Sequence, residues 1–120
     1  MKYVNINVMA DADDSMDQNG SQIEASQLYA ASFQAYFGDD TAAGTLKVQA
    51  SNDECFVFYQ PGNFTVTNWT DIPNASASVS SGASVLIPTL QLSYRWLRVV
   101  YTAGSGGSTT INVNMMALAV

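Results

Sequence analysis

A chain of 120 residues is the size of one domain and is long enough to bury its own core. Four basic side chains against ten acidic ones give a net charge of −6, too few cations to follow a phosphate backbone, which argues against a nucleic-acid partner. The absence of histidine removes the commonest general base and imidazole metal ligation, and 48% hydrophobic with 12% charged residues is not the composition of a disordered tail.

The dominant period along the chain is two. In residues 3–9, Val4, Ile6 and Val8 alternate with Asn5 and Asn7, as in a half-buried strand. An acidic loop follows, with Asp11, Asp13, Asp14 and Asp17, and closes on the turn signal Asn19-Gly20. Residues 21–27 fit either a short strand or a helical turn. Residues 28–37 put Tyr29, Ala31, Phe33, Ala35 and Phe37 on one face. Their alanines and glutamine suit a helix, but the aromatic alternation and the stop at Gly38-Asp39-Asp40 favour a strand. Residues 45–51 alternate Leu46, Val48 and Ala50 with Lys47 and Gln49. A further strand is expected at 55–59, ending at Pro61-Gly62. Residues 69–72 and 83–87 read as short extended pieces bounded by Pro73 and Pro88. Residues 94–102 form the strongest strand pattern. Gly104-Ser105-Gly106-Gly107 reads as a hairpin loop into a last strand at 109–120. About eight short strands with turn signals roughly every ten residues predict an all-β, antiparallel sandwich or barrel, in one domain over residues 1–120.

The chemistry is sparse. No Ser-His-Asp or Cys-His arrangement exists without histidine, and the glycines at 104–107 lack the lysine and helix of a phosphate-binding loop. The acids fall in turn-like segments, and nothing sets two of them across a cleft. No catalytic residue and no cofactor are expected. The acidic loop at 11–17 offers oxygens to a hard cation, but Met16 stands where an EF-hand needs glycine, so it reads as a solvated turn and no metal site is assigned. The single cysteine, Cys55, rules out an internal disulfide and suits assembly in a reducing cytoplasm; it reads as a small hydrophobe among Phe56, Phe58 and Tyr59. The N-terminus has no apolar run of a signal peptide, and no stretch approaches the roughly 20 apolar residues of a membrane span.

Two segments invite a reading as contact surface. In the strand at 94–102, Leu97, Val99 and Tyr101 share one face and Trp96, Arg98 and Val100 the other, with Arg95 at the entry. Trp96 and Arg98 are same-face neighbours suited to stacking and to an interface, or alternatively a second core layer with Arg98 paired to an acid. At the C-terminus, Asn112 and Asn114 share a face with Met116, Leu118 and Val120, while Ile111, Val113, Met115, Ala117 and Ala119 take the opposite face. A strand ending with two apolar faces is covered either by the sandwich itself or by a partner subunit. Trp69 reads as a core anchor or as a sugar-stacking platform.

Residues 44–53, the stretch Asn68-Trp69-Thr70-Asp71-Ile72-Pro73, and residues 94–102 followed by Gly104-Ser105-Gly106-Gly107 occur in that order. In these stretches the chain resembles the small capsid decoration, or cement, proteins of tailed bacteriophages, over roughly residues 28–113. The same rhythm is similar to discoidin-type and carbohydrate-binding sandwiches. Residues 54–67 are longer than the pattern leads one to expect between its first two elements. The resemblance implies a jelly-roll-like β-sandwich on the capsid surface of the virion, assembled in the host cytoplasm as a homo-oligomer (dimer or trimer) against the major capsid protein. It implies no enzyme, no cofactor and no membrane partner. Trp96, Arg98, Met116, Leu118 and Val120 are the candidate protein-contact residues. The alternative readings are a carbohydrate-binding module and a tail or spike component of a virion.

Overall fold

A computed structural model of the chain describes residues 2–38, 41–53, 66–80 and 84–119. It is all-β, with no helix among the described residues. The strands are β1 (Lys2–Asp13), β2 (Gln18–Asn19), β3 (Ile23–Glu24), β4 (Leu28–Phe37), β5 (Ala43–Ser51), β6 (Thr70–Val79), β7 (Val85–Gln91), β8 (Trp96–Ser105) and β9 (Thr110–Ala119). They form two antiparallel sheets, ordered β1-β9-β4-β7 and β2-β8-β5-β6, with β3 also paired to β8. Because β2 and β3 line the same edge of β8, at Tyr101–Val100 and Leu97–Trp96, they act as one interrupted strand. Counted so, the first strand pairs with the last (β1 with β9), the next with the last but one (β2/β3 with β8), then β4 with β7 and β5 with β6. A chain doubled back and rolled in this way is a jelly roll.

The inner faces carry the residues that the two-residue period marks as apolar. Leu46, Val48, Leu97, Val99 and Tyr101 of one sheet meet Phe33, Ile87, Ile111, Val113 and Met115 of the other, all buried. Each such side chain removed from water contributes roughly 1.5–3 kcal/mol. Strand β4 coincides with the expected residues 28–37. The expected strand at 55–59, with Cys55 and Pro61-Gly62, lies outside the described residues.

Four turn and boundary expectations are corrected. The chain does not reverse at Asn19-Gly20. It turns at residues 14–16, where the Asp13 carboxylate accepts the Ser15 backbone N–H (2.9 Å) and hydroxyl (2.6 Å), an Asx-type turn. Gly20 instead sits where the two sheets approach. Its N–H donates to the Val99 carbonyl, and a Cβ there would lie 2.7 Å from the Val8 carbonyl oxygen. Pro73 and Pro88 do not bound strands either. They lie inside β6 and β7, which are the outermost strands of their sheets. Both fall in bulges: residues 72–75 stand opposite Val48 alone, and residues 88–89 opposite Ser32 alone. A proline that cannot donate to the ladder costs little there. Finally, Gly104–Gly107 closes no hairpin. β8 and β9 belong to different sheets, and the link between them crosses the sandwich with Gly106 and Gly107 in the left-handed region (φ 71° and 84°).

Candidate interaction surface

The packing of the two sheets turns two outer faces away from each other, and the candidate contact residues divide between them. Trp96 and Arg98 lie on the outer face of the β2-β8-β5-β6 sheet, because Leu97, Val99 and Tyr101 occupy its inner face. Met116 and Leu118 lie on the outer face of the β1-β9-β4-β7 sheet, because Ile111, Val113, Met115 and Ala117 point inward. The four residues therefore do not form one patch. Val120 lies outside the described residues.

On the β8 side Arg98, Lys47 and Asp71 are tied together through Gln49. Arg98 Nε donates to Gln49 Oε1 (2.8 Å), its register partner across the ladder. Gln49 Nε2 donates to Asp71 Oδ1 (2.8 Å), and Lys47 Nζ pairs with Asp71 Oδ2 (3.2 Å). The Gln49 and Lys47 donors hold the Asp71 carboxyl below the ordinary aspartate value of 3.8. The Arg98 guanidinium stacks over Trp69, 4.6 Å from the ring centroid, so the cation–π partner of Arg98 is Trp69. Trp69 is half-buried with one ring face covered. The Trp96 indole N–H donates to the Asp53 carbonyl (3.2 Å). The Asp53 carboxylate in turn accepts the backbone N–H groups of Thr67 (3.0 Å) and Asn68 (3.1 Å) and the Asn68 side-chain amide (2.8 Å). Those bonds, the Asn68 side-chain one first, hold its pKa below 3.8. This clasp joins the two ends of the segment between Asp53 and Val66.

The other outer face is of a different kind. Four cross-strand rows cover it: Tyr3–Leu118–Ala30, Asn5–Met116–Ser32, Asn7–Asn114–Gln34–Leu86, and Asn112–Tyr36. None of these side chains is charged, and an acid, Asp11, adjoins the last row, where its carboxylate accepts from the Asn112 amide (3.3 Å). Tyr3 is 77% exposed, Leu86 63% and Met116 46%. A run of amides and a phenol crosses the middle: Asn7 Nδ2 donates to Asn114 Oδ1 (2.9 Å), Asn114 Nδ2 to the Tyr36 hydroxyl (3.4 Å), and that hydroxyl to Gln34 Oε1 (3.3 Å). Of the two coverings expected for the C-terminal strand, the sandwich supplies one, on one face. The sandwich covers its inner face, while Met116 and Leu118 remain on a surface with exposed apolar and neutral polar groups. Alternation marked Met116 and Leu118 in the sequence. Tyr3, Tyr36 and Leu86 went unmarked because they reach the same face only through pairing between strands far apart in the chain.

The acids at 11–17 are spread out as acceptors. Asp13 caps Ser15, the buried Asp14 accepts the Thr109 N–H (3.0 Å), and Asp17 accepts the Ala103 N–H (2.9 Å). No three potential metal ligands converge among the described residues. No helix of the described residues is long and apolar enough to cross a membrane.

No protein-family model matches the sequence, and no curated protein matches it significantly. Solved structures do resemble it. The chain is similar to the PBSX exported protein XepA, with 18% identity and a TM-score of 0.67, over 98% of this chain and 37% of that one. It is similar to the SPBc2 prophage-derived protein YomS, with 6% identity and a TM-score of 0.59, over 97% and 92%. It is also similar to a chain of the disulfide-linked pili of Bacillus endospore appendages, with 15% identity and a TM-score of 0.55, over 99% and 88%. The chain spans little more than a third of the length of XepA. At these identities the likeness establishes the β-sandwich fold.

Proposed function

We propose that this chain is a structural protein of a tailed-phage virion, a homo-oligomeric decoration protein that binds the major capsid protein on the outside of the assembled head. The observation that carries the proposal is the outer face of the β1-β9-β4-β7 sheet, whose cross-strand rows hold no charged side chain. In a molecule of net charge −6, a broad surface whose rows hold no charged side chain, with Asp11 only at its end beside Asn112, is the one that desolvates at least cost against another protein. Exposed Tyr3, Leu86 and Met116 supply apolar area at its centre and margins, and the amide run supplies directional hydrogen bonds. The similarity to a prophage-derived protein supports a phage setting. Repetition over a lattice lets contacts of modest affinity add up.

The test is co-sedimentation of the purified chain with phage heads lacking it. Saturable binding at a fixed ratio to the major capsid protein is expected. Binding that persists at high salt is expected as well, because an uncharged contact is not screened. Failure to bind heads, with binding to tails, would reassign the protein to a tail or spike component.

A further inference from the structure

We infer that the chain carries a second, independent binding site: a groove for an acidic oligosaccharide at the end of the sandwich where β3, β4, β5 and β8 meet. Two adjoining depressions, of about 450 and 260 Å³, share Asn52 and Tyr94 as their common wall. Tyr94 is half-buried and packs against the core, and Asp71, the carboxylate that lines the smaller depression, is already paired with Lys47. An aromatic ring at the middle of an elongated polar groove suits the apolar face of a sugar ring, with a neighbouring sugar on either side.

The larger depression adds Tyr29, Ser93 and Arg95. The Tyr29 hydroxyl is closed to solvent and has no hydrogen-bond partner among the described residues, so it stands behind the wall and offers a ligand no hydrogen bond. Arg95 is exposed, and among the described residues it pairs with no carboxylate, although the chain has ten acids for four bases. An exposed guanidinium that pairs with no carboxylate among the described residues is a place for the carboxylate of an acidic sugar. The walls are preorganised. The Arg95 N–H donates to Asn52 Oδ1 (2.9 Å), the Ala25 N–H to the Arg95 carbonyl (2.7 Å), and the Leu92 N–H to the Tyr29 carbonyl (2.9 Å). The ring expected to serve as a sugar platform, Trp69, is covered on one face by Arg98 and does not line either depression.

The test is a glycan array presenting uronate- and sialate-bearing oligosaccharides beside neutral ones of equal length, followed by calorimetric titration of the best-retained glycan. Retention of acidic glycans alone is expected, weakened about tenfold by Arg95→Gln and unchanged by Tyr29→Phe, whose hydroxyl no ligand reaches. Arg95 is exposed and Tyr29→Phe removes only an unsatisfied hydroxyl, so both variants should keep the melting temperature. Three results would overturn the inference: no acidic glycan retained, neutral and acidic glycans retained alike, or retention unchanged by Arg95→Gln. Neither residue lies on the uncharged outer face, so head binding should be the same in both variants whatever the array shows.

Discussion

The Tyr101 side chain is fully buried, tilted against Phe37 at 5.9 Å between ring centroids, and its hydroxyl donates to the Asp14 carbonyl (3.1 Å). That single bond ties the turn at 14–16 to the strand that supplies Arg98. Tyr101→Phe should cost about 1 kcal/mol in chemical denaturation, the net worth of one hydrogen bond plus an acceptor left unpaired. Burial, and then the charges of Asp14 and Asp17, push the phenol above its ordinary value of 10.0. A raised folded-state pKa gives stability that is whole below the unfolded value and lost as pH rises beyond it. Wild-type protein should therefore weaken from about pH 10 upward, and Tyr101→Phe should flatten that limb in a thermal scan across pH. Asp53 works in the opposite direction. Its lowered pKa gives stability that is present above 3.8 and lost as pH falls through the folded-state value. Asp53→Asn should reduce the acid sensitivity of the melting temperature below about pH 4, and Asp13 and Asp71, lowered by their own donors, should keep some of it.

Among the elements, the most exacting is the break between β2 and β3. Gly20 admits no side chain because the Val8 and Val99 carbonyls, from different sheets, stand 2.7 and 3.1 Å from where a Cβ would be. Gly20→Ala should destabilise by roughly 1–3 kcal/mol, as overpacking does, whereas a plain Asn-Gly turn would tolerate alanine far better. Equilibrium urea unfolding distinguishes the two. The same position shows what the sequence could and could not reveal. Periodicity needs only local chain, so β4, the inner faces of β5, β8 and β9, and the sandwich class were all legible. Gly20, Pro73 and Pro88 were misread because a glycine or proline signals a local break, and here each answers a distant strand. Gly20 makes room for β1 and β8. The two prolines take bulges that only an outermost strand can afford, and no local pattern reveals which strands are outermost. Asn74, with φ of 64°, completes the β6 bulge in the left-handed region that asparagine tolerates better than most residues.

For the molecule as a whole, the distribution of charge matters more than its sum. The β8 face ties Arg98, Gln49, Asp71 and Lys47 into one network, while the rows of the β9 face hold no charge and Asp11 adjoins only their end. The candidate contacts at Trp96 and Arg98 and those at Met116 and Leu118 were equally visible as alternations in sequence. Only the rolled topology sends them to opposite sides, since it pairs the first strand with the last and leaves β9 between β1 and β4. If the uncharged face is the contact, a carboxylate at its centre is intolerable in the complex and harmless in the free protein. Met116→Asp changes an exposed side chain, so its folding stability should stay within about 0.5 kcal/mol of wild type. In the complex the same carboxylate would lose its water against Asn5 and Ser32, its row neighbours, with no cation of this chain in those rows to receive it. Co-sedimentation with heads should fall by tenfold or more. Thr45→Asp places the same charge on the outer face of the other sheet, at an exposed position opposite Thr102, and should bind heads as wild type does. Equal loss in both variants would mean that added negative charge, and not the β9 face, governs binding. Loss in Thr45→Asp alone would move the contact to the side of Trp96 and Arg98.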